Sequence, residues 1–357
     1  MRVLQIIDSL DIGGAEKMAV NYANALANAI EFSGLVATRK EGILKSQLAA
    51  NVNYLFLNRK SKLDLQAVFK LRRYCIVNKI THLQAHSSSF FTAFLTKLVL
   101  PKVQIIWHDH NGLSEFISSQ KSFVLKFTSF FFKGIIVVND QLKKWAEKEL
   151  NCAKVLYLPN FTVLDHLQKK ETQLFGVEGK RILCLANLRF QKNHFLLVEV
   201  AQKLKISHPD WTIHLVGKDF QDAYSDKLKN EIQDHFLSNV LFLYDSRNDT
   251  QNIIEQSAIC VLSSQSEGLP VAILEYGLNK KPVVSTKVGE IPKIITTTVN
   301  GLLVDNYNAE QFYSSLVQLI DHKELRDKMG IQLYQTIAAH HSQDAIIANY
   351  INWVLSL

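Results

Sequence analysis

The chain has 357 residues, 47% hydrophobic and 20% charged, with 40 Lys and Arg against 33 Asp and Glu for a net charge of +7. That length and balance predict two globular domains with ample core and exclude a fibrous or disordered chain. The basic excess favours an anionic partner, either a phosphorylated ligand or an anionic membrane surface, and no aromatic ladder, long basic run or motif points to nucleic acid. Asp8 interrupts the opening apolar run too early for a secretory signal. No apolar stretch reaches the ~18 residues of a membrane span, since Thr92, Thr96 and Lys97 break Phe90–Leu100. Cys75, Cys152, Cys184 and Cys260 are scattered without metal or redox spacing, so a reducing, cytoplasmic location is expected.

In chain order, Val3–Ile7 reads as a buried strand, followed by a loop containing Gly13 and Gly14 and then a helix to about Ala29. Strand, glycine loop and helix is the phosphate-binding layout of doubly wound folds, but the dinucleotide G-x-G-x-x-G is absent. Read locally, the two glycines serve a sharp turn. Further unalternating apolar runs follow at Gly34–Thr38, Val52–Leu57, Ile80–Ala85, Val103–Trp107, Ile135–Val138 and Val155–Leu158, with helical segments such as Leu65–Asn78 and Gln141–Leu150 between them. Such runs predict a parallel sheet covered on both faces. Val103–Trp107 runs into His108-Asp109-His110-Asn111-Gly112, polar residues where open α/β sheets bind ligands. A zinc reading of these histidines lacks further ligands at recognisable spacing, so no metal is expected. The Phe- and Lys-rich stretch Lys121–Lys133 combines apolar and basic residues, but Phe130, Phe131 and Phe132 wrap most of a helix circumference and read largely as core.

Pro159-Asn160-Phe161 closes the first half, and the polar stretch Thr162–Lys180 is the linker. A second strand series then runs Arg181–Ala186, Thr212–Val216, Val240–Tyr244, Ile259–Leu262, Pro282–Ser285 and Gly301–Val304. Arg189 and Lys192, after the first of these, suit a diphosphate whose leaving charge must be neutralised. Gly217 and Arg247 sit at the next two strand ends, where a nucleotide base or ribose would bind. Ile259–Leu262 runs into Ser263-Ser264-Gln265-Ser266-Glu267-Gly268-Leu269-Pro270, and Pro270 suits the first turn of a helix. That helix is apolar nearly all round except for Glu275, a carboxylate expected to be buried and to meet something polar. The N–H groups of Gly268 and Leu269 at its start would favour an anion.

Glu267 and Glu275, eight positions apart within S-x-S-E-G-L-P-V-x-x-L-E, resemble the signature of the retaining family 4 (group 1) glycosyltransferases. The stretches Lys281–Pro292 and Asn300–Val304 continue that likeness, and S-L-x-x-G-G-A-E-x near the start is similar to the family's first loop. The resemblance implies the GT-B fold: α/β, two Rossmann-like domains facing across a cleft, with a C-terminal helix crossing back to the first domain. The boundaries it suggests are residues 1–165 on the acceptor side, 166–335 for the nucleotide sugar, and 336–357 for the final helix. It implies transfer from a UDP- or GDP-sugar, with no cofactor, to a glycan or lipid-linked acceptor in bacterial surface polysaccharide assembly. Glu275 would bind the ribose, and Glu267 with Gly268 and Leu269 the donor sugar. Arg189 and Lys192 would meet the diphosphate, Gly13 and Gly14 would approach it through backbone, and His110 would contact the sugar or reacting centre, with His108 two residues away as the alternative register. The family's usual arginine position holds Asn187, with Arg189 two residues on. A nucleotide-sugar 2-epimerase of the same fold and a catalytically silent sugar- or nucleotide-binding subunit are the alternatives.

Overall fold

The computed structural model describes residues 1–110, 119–163, 170–305 and 308–357, with 119–122 as backbone only. The chain divides into two compact units, Met1–Phe161 with Gln343–Leu357, and Thr162–Ser342. The first is built on β1 (Arg2–Ser9), β2 (Phe32–Lys40), β3 (Asn53–Phe56), β4 (His82–His86), β5 (Gln104–Asp109), β6 (Phe132–Val137) and β7 (Val155–Tyr157). The second is built on β8 (Arg181–Leu185), β9 (Thr212–Val216), β10 (Leu241–Tyr244), β11 (Ile259–Leu262), β12 (Val283–Thr286) and β13 (Leu302–Val304).

Both sheets are parallel, in the orders β3-β2-β1-β4-β5-β6-β7 and β10-β9-β8-β11-β12-β13. Every predicted strand is present. The reason is burial on both faces: Val3, Leu4 and Ile6 of β1 and Ile259, Cys260 and Val261 of β11 are wholly inaccessible to solvent, so these strands read as near-continuous apolar runs. Strand order reverses between β1 and β4 and again between β8 and β11, and the connections leaving each pair diverge there, which opens a crevice at the carboxyl ends.

The unit boundaries differ from those expected at 165/166 and 335/336. The helix Lys323–His340 runs through residue 335 with Met329, Leu333 and Ile337 buried in the second unit's core, which moves the later division to Ser342. The final helix, Gln343–Leu355, belongs to the first unit, where Ile346, Ile347, Tyr350 and Val354 are buried. Tyr350 lies 5.3 Å, ring to ring, from Tyr22 on the helix Gly14–Ala27, and a Cβ added at Gly134 of β6 would stand 2.4 Å from the Trp353 ring.

Removing the Tyr350 ring leaves a large void beside Tyr22. Tyr350→Ala is therefore expected to destabilise the first unit by on the order of 3–5 kcal/mol. Urea unfolding followed by histidine or tryptophan signals of that unit checks it; an unshifted transition would show that the final helix contributes little.

Candidate functional site

In the second unit the site forms where the connections after β8 and β11 meet. Their main chains are tied together: Gln265 N donates to Gln191 O at 2.8 Å, and Ser263 Oγ donates to Lys192 O at 2.9 Å. From the neighbouring strand, Thr286 Oγ1 donates to Ser264 O at 2.5 Å. Gly289 holds φ +55°, and a Cβ there would fall 2.1 Å from Glu267 O and 2.6 Å from Gly268 O. Only glycine allows that approach in that conformation. Glu290 N then donates to Gly268 O at 3.0 Å.

This scaffold brings Lys192 and Glu267 together. Lys192 Nζ lies 2.5 Å from Glu267 Oε1, and Ser264 Oγ donates to the same oxygen at 2.5 Å. The Glu267 side chain is 9% exposed and that of Lys192 22%, so the pair is largely shielded from solvent screening but still accessible. Gly268 and Leu269 are buried beside it.

Other expected residues are placed differently. Pro270 is the N-cap, one residue before the helix Val271–Leu278, with ψ 121°. Glu275 is half-buried rather than enclosed, on the stripe it shares with Ala272 and Leu278, while Val271, Ile273, Leu274, Tyr276 and Gly277 face the core. The helix is thus apolar on its packed side and less covered along one line, which carries Glu275. Tyr276, unremarked in the sequence, accepts a 2.7 Å hydrogen bond from Leu185 N and pins this helix to the end of β8.

Asn187 accepts from Lys218 N at 2.9 Å. Gly217 sits so close to β8 that a Cβ would lie 2.2 Å from Ala186 O, which gives this glycine a packing reason of its own. Arg189 is exposed, its guanidinium 4.5 Å from the Phe220 ring centroid, and the Lys218 ammonium is 5.4 Å from the same centroid. Lys218 and Phe220 carried no signal in the sequence. Arg247 follows the edge strand β10, which β9 separates from β8, and the structure does not bring it to Lys192 and Glu267.

In the first unit, Gly13 is the N-cap of the helix Gly14–Ala27 in extended conformation (φ −169°), and a Cβ on Gly14 meets nothing within 4 Å. Neither glycine has a positive φ of the kind a turn that needs glycine would show. A Cβ at Gly13 would instead stand 2.2 Å from the Glu16 carboxylate, which lies over the start of the helix.

His108 and His110 are joined by His86, at the end of β4. His86 Nδ1 and His110 Nε2 are 2.8 Å apart, with ring planes within 6°, and His86 Nε2 meets Gln5 Oε1 at 2.7 Å. Gln5 Nε2 donates to Gln84 Oε1 at 3.1 Å, and Gln84 Nε2 meets His108 Nδ1 at 3.0 Å. Burial pushes His110 down to about 3, against a hydrogen bond with the Asn160 side chain that favours the charged form. Burial first, and then the neighbouring imidazoles, hold His86 and His108 well below the ordinary histidine range. All three rings are therefore neutral at physiological pH.

One nitrogen from each ring lies within 4.8 Å of the others, close enough to consider a metal ion. The 2.8 Å between His86 and His110 is a hydrogen-bond distance, shorter than the roughly 3.3 Å between two nitrogens on a tetrahedral zinc. Hydrogen bonding describes this geometry better than ligation. His86 could not be found from spacing, because it lies 24 residues from His110 and reaches it across adjacent strands.

Also at the carboxyl ends of this sheet, Asp8 accepts from Thr38 Oγ1 at 2.6 Å, Ser88 Oγ at 2.7 Å and the buried Arg59 at 3.2 Å. Asn111 and Gly112 lie outside the described residues. Within Lys121–Lys133, Phe130 is 66% exposed, as are Phe123 (71%) and Phe127 (50%), contrary to the core reading; Leu125 and Phe132 supply the buried side. No described helix is long and apolar enough to cross a membrane.

Residues 165–336 match the family described as glycosyl transferases, group 1. The poly(ribitol-phosphate) alpha-N-acetylglucosaminyltransferase of Staphylococcus aureus is 23% identical over 220 residues, 61% of this chain and 43% of that protein. The UDP-Gal:alpha-D-GlcNAc-diphosphoundecaprenol alpha-1,3-galactosyltransferase of Escherichia coli is 25% identical over 298 residues, 78% of this chain and 74% of that one. Anabaena HepE, solved in complex with UDP and glucose, superposes with a TM-score of 0.81 over 100% of both chains at 16% identity. The fold is GT-B, and residues 165–336 are similar to the group 1 glycosyltransferases.

The two glycine environments generate a contrast. Gly289→Ala forces a Cβ against the Glu267–Gly268 peptide in a left-handed conformation, and about 1–3 kcal/mol of stability is expected to be lost. Gly14→Ala, in open space at a helix start, is expected to stay within about 0.5 kcal/mol of wild type. Thermal denaturation of both variants checks this, and equal effects would refute it.

Proposed function

We propose that this enzyme transfers a sugar from a UDP-sugar, with retention at the anomeric carbon and without a metal ion, to a glycan or lipid-linked acceptor in bacterial surface polysaccharide assembly. The observation that carries the reading is the shielded Lys192–Glu267–Ser264 cluster at the carboxyl ends of β8 and β11, beside the start of the helix Val271–Leu278. There Lys192 takes up the charge of the departing diphosphate, aided by Arg189 and the helix N-terminus, which together supply the positive field that a divalent ion provides in metal-dependent transferases. Glu267, with the peptide groups of Gly268 and Leu269, faces the donor sugar. Glu275, on the open stripe of its helix, binds the ribose hydroxyls, and His110 meets the donor sugar as a neutral ring. UDP is favoured over GDP because HepE was solved with UDP. A lipid-diphosphate acceptor is favoured because the E. coli relative is named for one.

Incubation with UDP-sugars and a lipid-diphosphate-linked acceptor is expected to release UDP in step with a glycoside of the donor's own anomeric configuration, read by NMR and mass spectrometry. Inversion would overturn retention, and conversion of the donor to its 2-epimer would favour the epimerase. Lys192→Met is expected to lower kcat by about 10²–10³-fold with the donor KM nearly unchanged. The opposite pattern, a raised KM at full kcat, would mean that Lys192 binds the ground state only.

The acceptor reading includes the membrane surface. Phe123, Phe127 and Phe130 stand exposed at near-helical spacing with the exposed Lys126 and Lys133 alongside, an apolar and basic combination suited to an anionic bilayer interface. In flotation with vesicles containing anionic lipid, the wild type is expected to rise with the lipid and the Phe123→Ser, Phe127→Ser, Phe130→Ser triple variant to remain below. Equal recovery of the two would remove this surface from the proposal.

A further inference from the structure

Gln5, Gln84, His86, His108 and His110 form one continuous hydrogen-bond chain, and its arithmetic constrains every member. Gln5 Nε2–H donates to Gln84 Oε1, and with the two amides oriented so, the contacts require His86 Nε2–H to donate to Gln5 Oε1, His110 Nε2–H to His86 Nδ1, and Gln84 Nε2–H to His108 Nδ1. A neutral imidazole has one donor and one acceptor nitrogen, and a primary amide presents its oxygen on one side and its N–H groups on the other. Each link therefore dictates the next. Only one other arrangement satisfies all four bonds: both amides turn over and all three rings change tautomer, so that every bond runs the opposite way. The observed polarity puts the proton of all three rings on Nε2, and the reverse puts all three on Nδ1. A mixed set leaves at least one donor facing a donor, or two lone pairs facing each other, inside a site where Gln5, Gln84 and His86 are wholly inaccessible to solvent; such a mismatch costs more in a low-dielectric interior than at a surface.

We propose that Gln5, Gln84, His86 and His108 are positioning residues that act through His110: the chain makes the three imidazoles adopt one tautomer together and so fixes which nitrogen of His110 carries its proton. Its importance for turnover rests on the reading of His110 as a contact to the donor sugar. A hydroxyl can be matched only by a partner of known polarity, and a neutral ring that is free to change tautomer presents the wrong one part of the time. The chain removes that freedom without placing a charge in the sheet. His108, in the interior of the strand layer, thereby bears on the state of a ring four hydrogen bonds away that it does not itself hydrogen-bond.

The test uses the full chain labelled with ¹⁵N histidine, its 12 histidines resolved by ring ¹⁵N shifts and those of the three assigned with the single variants H86Q, H108Q and H110Q. Ring ¹⁵N shifts read the tautomer directly. The three are expected to share one tautomer, Nε2–H in the observed polarity; all three as Nδ1–H equally supports coupling with the chain reversed, and a mixed set overturns it. Gln5→Leu cuts the chain between the two halves. It is expected to broaden or split the His110 signal through tautomer exchange and to lower kcat about tenfold with donor KM within about twofold. Unchanged kcat with an altered His110 signal would overturn the positioning role. Should Gln5→Leu fail to fold, the wild-type spectrum still decides the coupling. An inactive wild type with three matched tautomers would mean that the proposed substrates are wrong and the chain is right.

Discussion

The second unit's chemistry depends on how closely four backbone segments approach at the carboxyl ends of β8, β9, β11 and β12. Gly289 lies flush against the Glu267–Gly268 peptide, Gly217 against Ala186, and the loops carrying Lys192 and Glu267 exchange main-chain bonds. No pair of side chains could supply that precision, because two flexible side chains each retain rotamer freedom while a peptide held on both sides does not. Lys192 and Glu267, 75 residues apart in sequence, are thus set at 2.5 Å by the main chain beneath them. A charge pair fixed in advance of substrate needs little reorganisation when charge develops on a leaving group.

The first unit reaches the same end by a different chemistry. Its sheet has the same reversal of strand order, but the crevice at β1 and β4 is furnished with neutral amides and imidazoles linked across Gln5, Gln84 and His86. Burying a charge there would require a partner for each ion, and Asp8 shows what that entails: Thr38, Ser88 and the buried Arg59 all gather on one carboxylate. Neutral rings suit contacts to sugar hydroxyls and a shielded ion pair suits a diphosphate. The two crevices differ in composition rather than in fold.

The architecture was legible because strands buried on both faces leave an apolar run wherever they occur, and a Pro or Gly punctuates each turn. The Glu267–Glu275 stretch was equally legible, since its residues are contiguous. What could not be read was anything assembled across strands: His86 against His110, Asp8 against Arg59, or Tyr276 against Leu185, where the partners stand 24 to 91 residues apart. The errors have local causes. Phe130 reads as core because residue type says nothing of which side of a short turn faces out. Glu275 reads as buried because an apolar majority hides a single open stripe on an eight-residue helix. Gly13 and Gly14 suggested a sharp turn, yet their backbone is one that other residues adopt.

The departure from the family pattern at Asn187 has a structural counterpart. Where the usual arginine would stand, the Asn187 amide accepts from Lys218 N, and this bond sets the start of the segment that carries Phe220. The Phe220 ring then gathers two cations, Arg189 at 4.5 Å and Lys218 at 5.4 Å. A planar guanidinium over an aromatic face keeps its edge N–H groups free for an oxyanion while the ring orients its plane. Positive charge absent at position 187 is thus restored by residues two and thirty-one positions on, held by a ring in place of a backbone position. Because Arg189 remains exposed and Lys192 is shielded by Glu267, the two cations differ in what screens them. Salt weakens the pull of the first and leaves that of the second nearly intact.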